Sequence, residues 1–223
     1  MALTRISIPS PNYSSRGGNK VRLIVLHTSE GAQTYQSLGS FFANPSSKVS
    51  SQVGIDDTPN TIGEYVGRPM AAWTASNANS CATQAEFCTP SGAAANWTSE
   101  IWMNDHHQML VNAAEWIAEE AAYFSIPIVK LTPSQAQGDY LGVCQHSDLG
   151  AWGGGHYDCG PGFPIDYVIS LAVGNPPLEG DDVTSYFVNN QHHVYRDNGD
   201  GTVSHWWMDL GSKPPKWAKE TLR

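Results

Sequence analysis

Two shortages narrow the field first. Lysine and arginine number only 12 against 21 aspartate and glutamate, a net charge of −9 over 223 residues. So few cations leave no basic surface for nonspecific nucleic-acid binding, and neither DNA nor RNA is an expected partner. Long apolar runs are missing too: none approaches the roughly 18 residues that span a bilayer, so no membrane insertion is expected. The opening stretch, MALTRISIPSPNYSSRGGNK, lacks the apolar segment of a secretory signal. The expectation is synthesis in a host cytoplasm without a signal peptide. Cysteines are too few for a disulfide framework: Cys81, Cys88, Cys144 and Cys159 are all there are. Cys81 and Cys88 are close enough to bridge across a loop, but a pair of buried thiols is the simpler state. Charged residues are scarce at 15%, while hydrophobic ones reach 40%, which excludes a disordered chain and supplies a core.

Against these shortages stand eight histidines, eight tryptophans and 21 glycines. Residues 1–20 read as an N-terminal arm of turn-formers. Val21-Arg22-Leu23-Ile24-Val25-Leu26 has the short, β-branched apolar character of a buried strand, and His27 ends it. A short helix is expected over 34–42, with Leu38, Phe41 and Phe42 on one face. Strands are expected over 49–55 and 61–66, joined by the turn at Asp56–Asn60, and again over 85–88. Leu110, Ala114, Ile117, Ala121 and Phe124 recur at steps of four and three, predicting an amphipathic helix over about 104–124. Glu115, Glu119 and Glu120 lie off that stripe and read as a solvated face. Tyr140 to Gln145 is a further strand, followed at once by His146. A glycine-rich loop then leads to His156-Tyr157-Asp158-Cys159, and a last helix over 165–173 closes the main domain, 21–173.

Residues 174–182 are a linker by composition. The remaining 183–223 are too few for an ordinary core of their own. Apolar stretches at 185–195 and 202–208 flank Asp197-Asn198-Gly199-Asp200-Gly201, which predicts a β-hairpin with a glycine-rich turn. A calcium loop would want oxygen ligands where Gly199 and Gly201 stand.

A catalytic zinc site takes three protein ligands and leaves one position open. His27 and His146 end strand-like runs and converge if those strands are neighbours. The loop behind His146 offers His156, Asp158 and Cys159 as third ligand. A cysteine hydrolase built on Cys144 or Cys159 is the rival chemistry, but it gives no reason for two histidines to end strands.

The residues around these histidines resemble those of the zinc-dependent N-acetylmuramoyl-L-alanine amidases, of the peptidoglycan-recognition and phage-lysozyme type. Leu26-His27-Thr28-Ser29 is similar to the family's first-ligand segment, and Gln145-His146-Ser147-Asp148 to its second. His156-Tyr157-Asp158-Cys159-Gly160-Pro161-Gly162-Phe163 is similar to its third. The likeness spans about 20–173, and Ala72-Trp73-Thr74-Ala75 adds to it. It looks most like endolysin amidase domains from phages of actinobacteria.

That resemblance implies an α/β fold: a central mixed β-sheet flanked by helices, a zinc site in a surface groove, and a small C-terminal β-hairpin appendage. It implies zinc ligands His27, His146 and Asp158, with Cys159 as competitor one residue late in register. Glu86 matches the family's strand glutamate and would be the general base, with Glu30 the second candidate. His156 stands where the family carries a lysine and would hold the oxyanion. Trp73 would pack beside the substrate, although the histidine that follows it in the family is here Thr74. Trp206, Trp207 and Trp217 make the appendage a candidate cell-wall-binding element. The implied activity is cleavage between N-acetylmuramic acid and L-alanine in peptidoglycan by a monomeric lytic enzyme, released to the wall by another factor. A non-catalytic peptidoglycan-recognition module and a cytosolic muropeptide-recycling amidase are the alternatives.

Overall fold

The chain divides into two units, Met1–Ala172 and Val173–Arg223. The computed structural model describes residues 3–174 in full. Beyond them it describes only the backbone of four strands, within 186–189, 193–197, 203–209 and 216–222.

The first unit is built on eight strands: β1 (Thr4–Ser7), β2 (Tyr13–Ser15), β3 (Leu23–Thr28), β4 (Val53–Ile55), β5 (Thr61–Glu64), β6 (Met70–Ala72), β7 (Ala82–Phe87) and β8 (Gly142–Gln145). Six form the central sheet in the order β1-β5-β4-β7-β3-β8, while β2 and β6 pair separately. Only β4 and β5 run antiparallel in the central sheet, so it is mixed, as expected. Six helices accompany it: α1 (Tyr35–Phe42), α2 (Ala93–Asn96), α3 (Ser99–Asp105), α4 (His107–Phe124), α5 (Pro133–Gln137) and α6 (Ile165–Ala172). Tight 3-10 turns cover Ser76–Cys81 and His146–Gly153.

Strand alternation sorts side chains between the two faces of the sheet. Ile24, Leu26, Ala85, Phe87 and Val143 pack with α3, α4 and α6, around the fully buried Trp102 and Trp116. Leu23, Val25, Ala82 and Cys144 pack on the other face, with Ala78, Ala136 and Leu149. His27 shares the parity of Leu23 and Val25, and His146 that of Cys144. Gln84 and Glu86 share the parity of Ala82. The polar residues at these strand ends therefore all belong to the face away from α4, and register places His27 opposite Glu86.

Several elements differ from the sequence-based expectation. Residues 1–20 contain two strands: β1 pairs parallel to β5, an edge strand too short and polar to stand out. The expected helix over 104–124 is two helices broken at His106 (φ −128°, ψ 27°). Asp57 explains the break, because one carboxylate oxygen receives His106 Nδ1 at 2.7 Å and the other the Met109 N–H at 3.1 Å. Residues 49–52 are not strand. The Ser50 hydroxyl instead donates to the Asn12 carbonyl and accepts the Trp73 N–H, its own N–H donates to the Trp73 carbonyl, and its carbonyl accepts the Thr74 hydroxyl. Strand β7 begins three residues earlier than expected, at Ala82, because buried partners satisfy its polar Thr83 and Gln84. Phe41 is 54% exposed, whereas Leu38 and Phe42 are buried.

Glu120 overturns the solvated-face reading. It is 1% exposed and bound by Arg68 Nε at 2.7 Å and Thr83 Oγ1 at 2.8 Å. Cys81 and Cys88 flank the two ends of β7, and at ~3.3 Å rise per residue they stand ~20 Å apart, far beyond disulfide reach. All four cysteines are free thiols.

In the second unit, β9 (Tyr186–Asn189), β10 (His193–Asp197), β11 (Val203–Asp209) and β12 (Lys216–Leu222) form an antiparallel sheet in the order β12-β11-β10-β9. The expected hairpin corresponds to β10 and β11. Its first arm holds β9 as well as the start of β10, and β12 adds a fourth strand. The turn at 198–202, with its calcium-loop alternative, and the side chains of Trp206, Trp207 and Trp217 lie outside the described residues.

Candidate active site

Neighbouring parallel strands β3 and β8 deliver His27 and His146 to the same edge of the sheet. The loop after the second 3-10 turn returns Asp158 to them, fixed by the Ser147 N–H donating to the Asp158 carbonyl at 2.8 Å. Gly160 and Gly162 let this loop lie flat on another stretch of backbone. Gly160 has φ +93°, and a Cβ there would collide with the Ala94 carbonyl, while one at Gly162 would strike the Trp97 carbonyl. The Gly-Pro-Gly run is thus a packing requirement of the Asp158 loop.

The three side chains converge through specific atoms. His27 Nδ1 and His146 Nδ1 are 2.9 Å apart, Asp158 Oδ2 is 3.4 Å from His27 Nδ1, and Asp158 Oδ1 is 3.2 Å from His146 Nδ1. Tetrahedral zinc with bonds of about 2.0–2.1 Å separates its ligand atoms by about 3.3 Å, so the spacing matches. The other ring nitrogens are engaged as a metal site requires. His27 Nε2 bonds Gln84 Oε1 at 3.2 Å and His146 Nε2 bonds the Gly153 carbonyl at 2.9 Å. With both Nε2–H groups donating outward, two imidazole lone pairs point at each other across 2.9 Å. Only a cation between them, a proton or a metal ion, relieves that repulsion. The residues present therefore fit a metal ion, and the described residues form one such cluster.

The electrostatics agree with that picture. Burial lowers the pKa of His27, with its bond to Asp158 opposing. Burial also works against charge on His146, but its bonds to Asp158 and the Gly153 carbonyl prevail and leave it raised. The Asp158 carboxyl is held well below its usual range: burial raises it, and the two histidines more than reverse this. The Thr28 N–H steadies the same carboxylate at 3.3 Å. Cys159 points elsewhere, into the core on the α4 face, where burial pushes its thiol far up. Cys144 is also enclosed, its thiol raised by burial. Neither thiol lines the groove.

Beside the cluster lies a groove of about 670 Å³. Leu38, Phe41, Phe42 and Val49 supply an apolar wall, Trp73 and Thr74 a second side, and Glu86, His146, His156 and Asp158 the polar end. Glu86 Oε2 is shielded from solvent and has no hydrogen-bond partner among the described residues. Burial raises its carboxyl pKa well above the ordinary value, and the charges of Asp158 and Glu30 add to this. Glu30 is differently placed: its oxygens receive the Gly92 and Ala94 N–H groups at 2.7 and 2.9 Å and the Thr28 hydroxyl at 3.0 Å. His156 is exposed and stacks on the His146 ring, centroids 4.7 Å apart and planes within 11°. Trp73 is half-buried on the groove wall and joins neither main core cluster. Sequence reasoning missed Val49, Tyr157 and the exposed face of Phe41 as groove residues, for they carry no motif. Gln84 was missed as well; its one signal was a second polar residue beside Thr83 in a short strand, two residues before Glu86.

Two histidines and an aspartate converge at one edge of a mixed, helix-flanked sheet beside an open groove, an α/β fold with a metal-type cluster. The chain belongs to the N-acetylmuramoyl-L-alanine amidase family, whose model matches residues 17–162. Solved structures show the same fold at low identity. The Staphylococcus aureus hydrolase AmiA is 16% identical, with a TM-score of 0.58 over 77% of this chain and 82% of that one. The Clostridium intestinale endolysin amidase LysCS is 11% identical, with a TM-score of 0.54 over 79% and 99%. The PlyG catalytic domain is 14% identical, with a TM-score of 0.54 over 81% and 100%. No curated protein is significantly similar in sequence. Among the described residues, no helix is long and apolar enough to cross a membrane.

Proposed function

We propose that this protein is an endolysin-type peptidoglycan hydrolase that cleaves the amide between N-acetylmuramic acid and L-alanine, with zinc as cofactor, and so lyses bacteria. The observation that carries the reading is the shielded, unpartnered Oε2 of Glu86 in the groove beside the His27-His146-Asp158 cluster. A buried carboxylate with no partner costs about 1–3 kcal/mol, and a fold tolerates that where the group has chemical work.

His27, His146 and Asp158 would hold the metal through Nδ1, Nδ1 and a carboxylate oxygen. Bound there, zinc supplies Lewis acidity toward the lactyl carbonyl and lowers the pKa of water. Glu86 takes the proton of the attacking water and returns it to the departing alanine nitrogen. Its raised affinity for protons suits both halves of that transfer. His156, at the mouth of the groove, donates to the carbonyl oxygen as negative charge builds there. Trp73 and the apolar wall receive the flat faces of the glycan and the stem-peptide methyl groups. Residues 183–223, joined through the 174–182 linker, retain the monomer on the wall through Trp206, Trp207 and Trp217. The enzyme is made in the host cytoplasm and meets its substrate after release.

The test is digestion of purified actinobacterial walls, with zinc measured by elemental analysis of the same protein. New alanine amino termini and about one zinc per chain are the expected result. Full activity after exhaustive chelation, or in His146→Ala, would refute the metal-dependent reading.

A further inference from the structure

His146 and His27 have their outward nitrogens fixed in different ways. His146 Nε2 faces a backbone carbonyl, Gly153, which only accepts. That nitrogen therefore carries a proton, so in the neutral ring Nδ1 is the bare nitrogen. His27 Nε2 faces Gln84, whose amide presents either an oxygen or an NH2 group depending on its rotation. Gln84 by itself does not choose.

Asn79 makes the choice. Its Oδ1 receives the backbone N–H groups of Thr74 at 3.0 Å and Ala75 at 2.7 Å. These are donors that cannot reverse, so Asn79 must present its oxygen there. Gln84 Nε2 lies 3.2 Å from that same oxygen. The Gln84 amide must then turn its NH2 toward Asn79 and its oxygen toward His27. In consequence His27 carries its proton on Nε2 and leaves Nδ1 as a lone pair aimed at His146 and Asp158. Gln84 is fully buried, so no solvent competes for either end of its amide.

We infer that Asn79 and Gln84 are positioning residues, a relay that sets the His27 tautomer from the backbone of the Trp73–Ala75 groove wall. The relay also ties the orientation of His27 to the wall that carries Trp73. The tautomer stands on hydrogen bonding alone; its consequence for metal affinity rests on the proposed zinc site.

The test uses the full chain, labelled with 15N-histidine and freed of metal, at mildly alkaline pH. Long-range proton–nitrogen correlation reads which His27 nitrogen bears hydrogen, with His27→Gln for assignment. In the unmodified protein and in Asn79→Asp, which keeps an acceptor at the same place, His27 is expected as the Nε2–H form. In Asn79→Ala and Gln84→Met it is expected as a mixture. Zinc affinity, read by competition with a chelating dye, is expected to fall about 10–100-fold in these two and to hold in Asn79→Asp. The relay is overturned if unmodified His27 is the Nδ1–H form. It is overturned equally if Asn79→Ala matches the unmodified protein in both readouts, or if Asn79→Asp fails as Asn79→Ala does. Should Asn79→Ala not fold, Gln84→Met and Asn79→Asp decide between the same outcomes. An unmodified protein that binds no zinc overturns the proposed function, while its His27 spectrum still judges the relay.

Discussion

Glu120 and Glu86 are both withdrawn from water around the same strand, β7, on opposite faces of the sheet. Glu120, on α4, has both oxygens engaged: Arg68 and Arg5 approach one, and Thr83 of β7 donates to the other. Glu86, three residues beyond Thr83 and turned the other way, has an Oε2 with no hydrogen-bond partner among the described residues. The first arrangement joins helix to sheet and to the Arg68 loop. The second subtracts from stability and faces a groove with a metal-type cluster. Burial alone therefore does not separate the two carboxylates; what separates them is whether the shielded oxygen has a partner, and the proposed base is the one without.

Glu86→Gln breaks that contrast with the largest expected effect. Removing the base should lower turnover of zinc-loaded protein by about 10²–10⁴-fold, measured as release of alanine amino groups. Zinc content should stay unchanged. Glu120→Ala should act on the other side, destabilising the fold by about 1–3 kcal/mol in urea melts, because the buried Thr83 hydroxyl and the half-buried Arg68 Nε lose their acceptor while Glu119 still faces Arg68. Turnover per folded molecule should hold.

Glu30→Ala sharpens the comparison within the groove itself. Glu30 lines the same cavity but spends its oxygens on the Gly92 and Ala94 N–H groups. A loss of about 1–3 kcal/mol of stability is expected, with turnover nearly unchanged. The smallest effect is pH-dependent and belongs again to Glu86. Its folded-state pKa is raised, so its proton costs nothing in acid, and stability is lost as pH climbs from the ordinary carboxylate range through the raised value. In metal-free protein, Glu86→Gln should therefore raise Tm near pH 8 and leave it unchanged near pH 4.

The same contrast explains what the sequence disclosed. His27 and His146 were legible because each ends a short apolar run, whereas Asp158 stood out from His156 and Cys159 only through the family resemblance of its segment. Those patterns are local. Glu120 was misread because its partners come from residues 5, 68 and 83, and only the packing of α4 on β7 brings them together. Asn79 and Gln84 were invisible for the same reason: an amide has no motif, and its role appears only once the donors facing it are known. Strand β1 escaped because four residues, Thr-Arg-Ile-Ser, become an edge strand only when β5 is there to pair with. The split at His106 needed Asp57 from a different turn.

Digesting walls with zinc-loaded protein in 18O-water, followed by mass spectrometry of the fragments, tests most directly whether water activated in this groove attacks the lactyl carbonyl of N-acetylmuramic acid. One 18O is expected in the new lactyl carboxylate of the muramyl glycan, with a free alanine amino terminus, and neither product is expected from Glu86→Gln. Label in a sugar reducing end or within the stem peptide would contradict it, as would undiminished labelling by the Glu86→Gln variant.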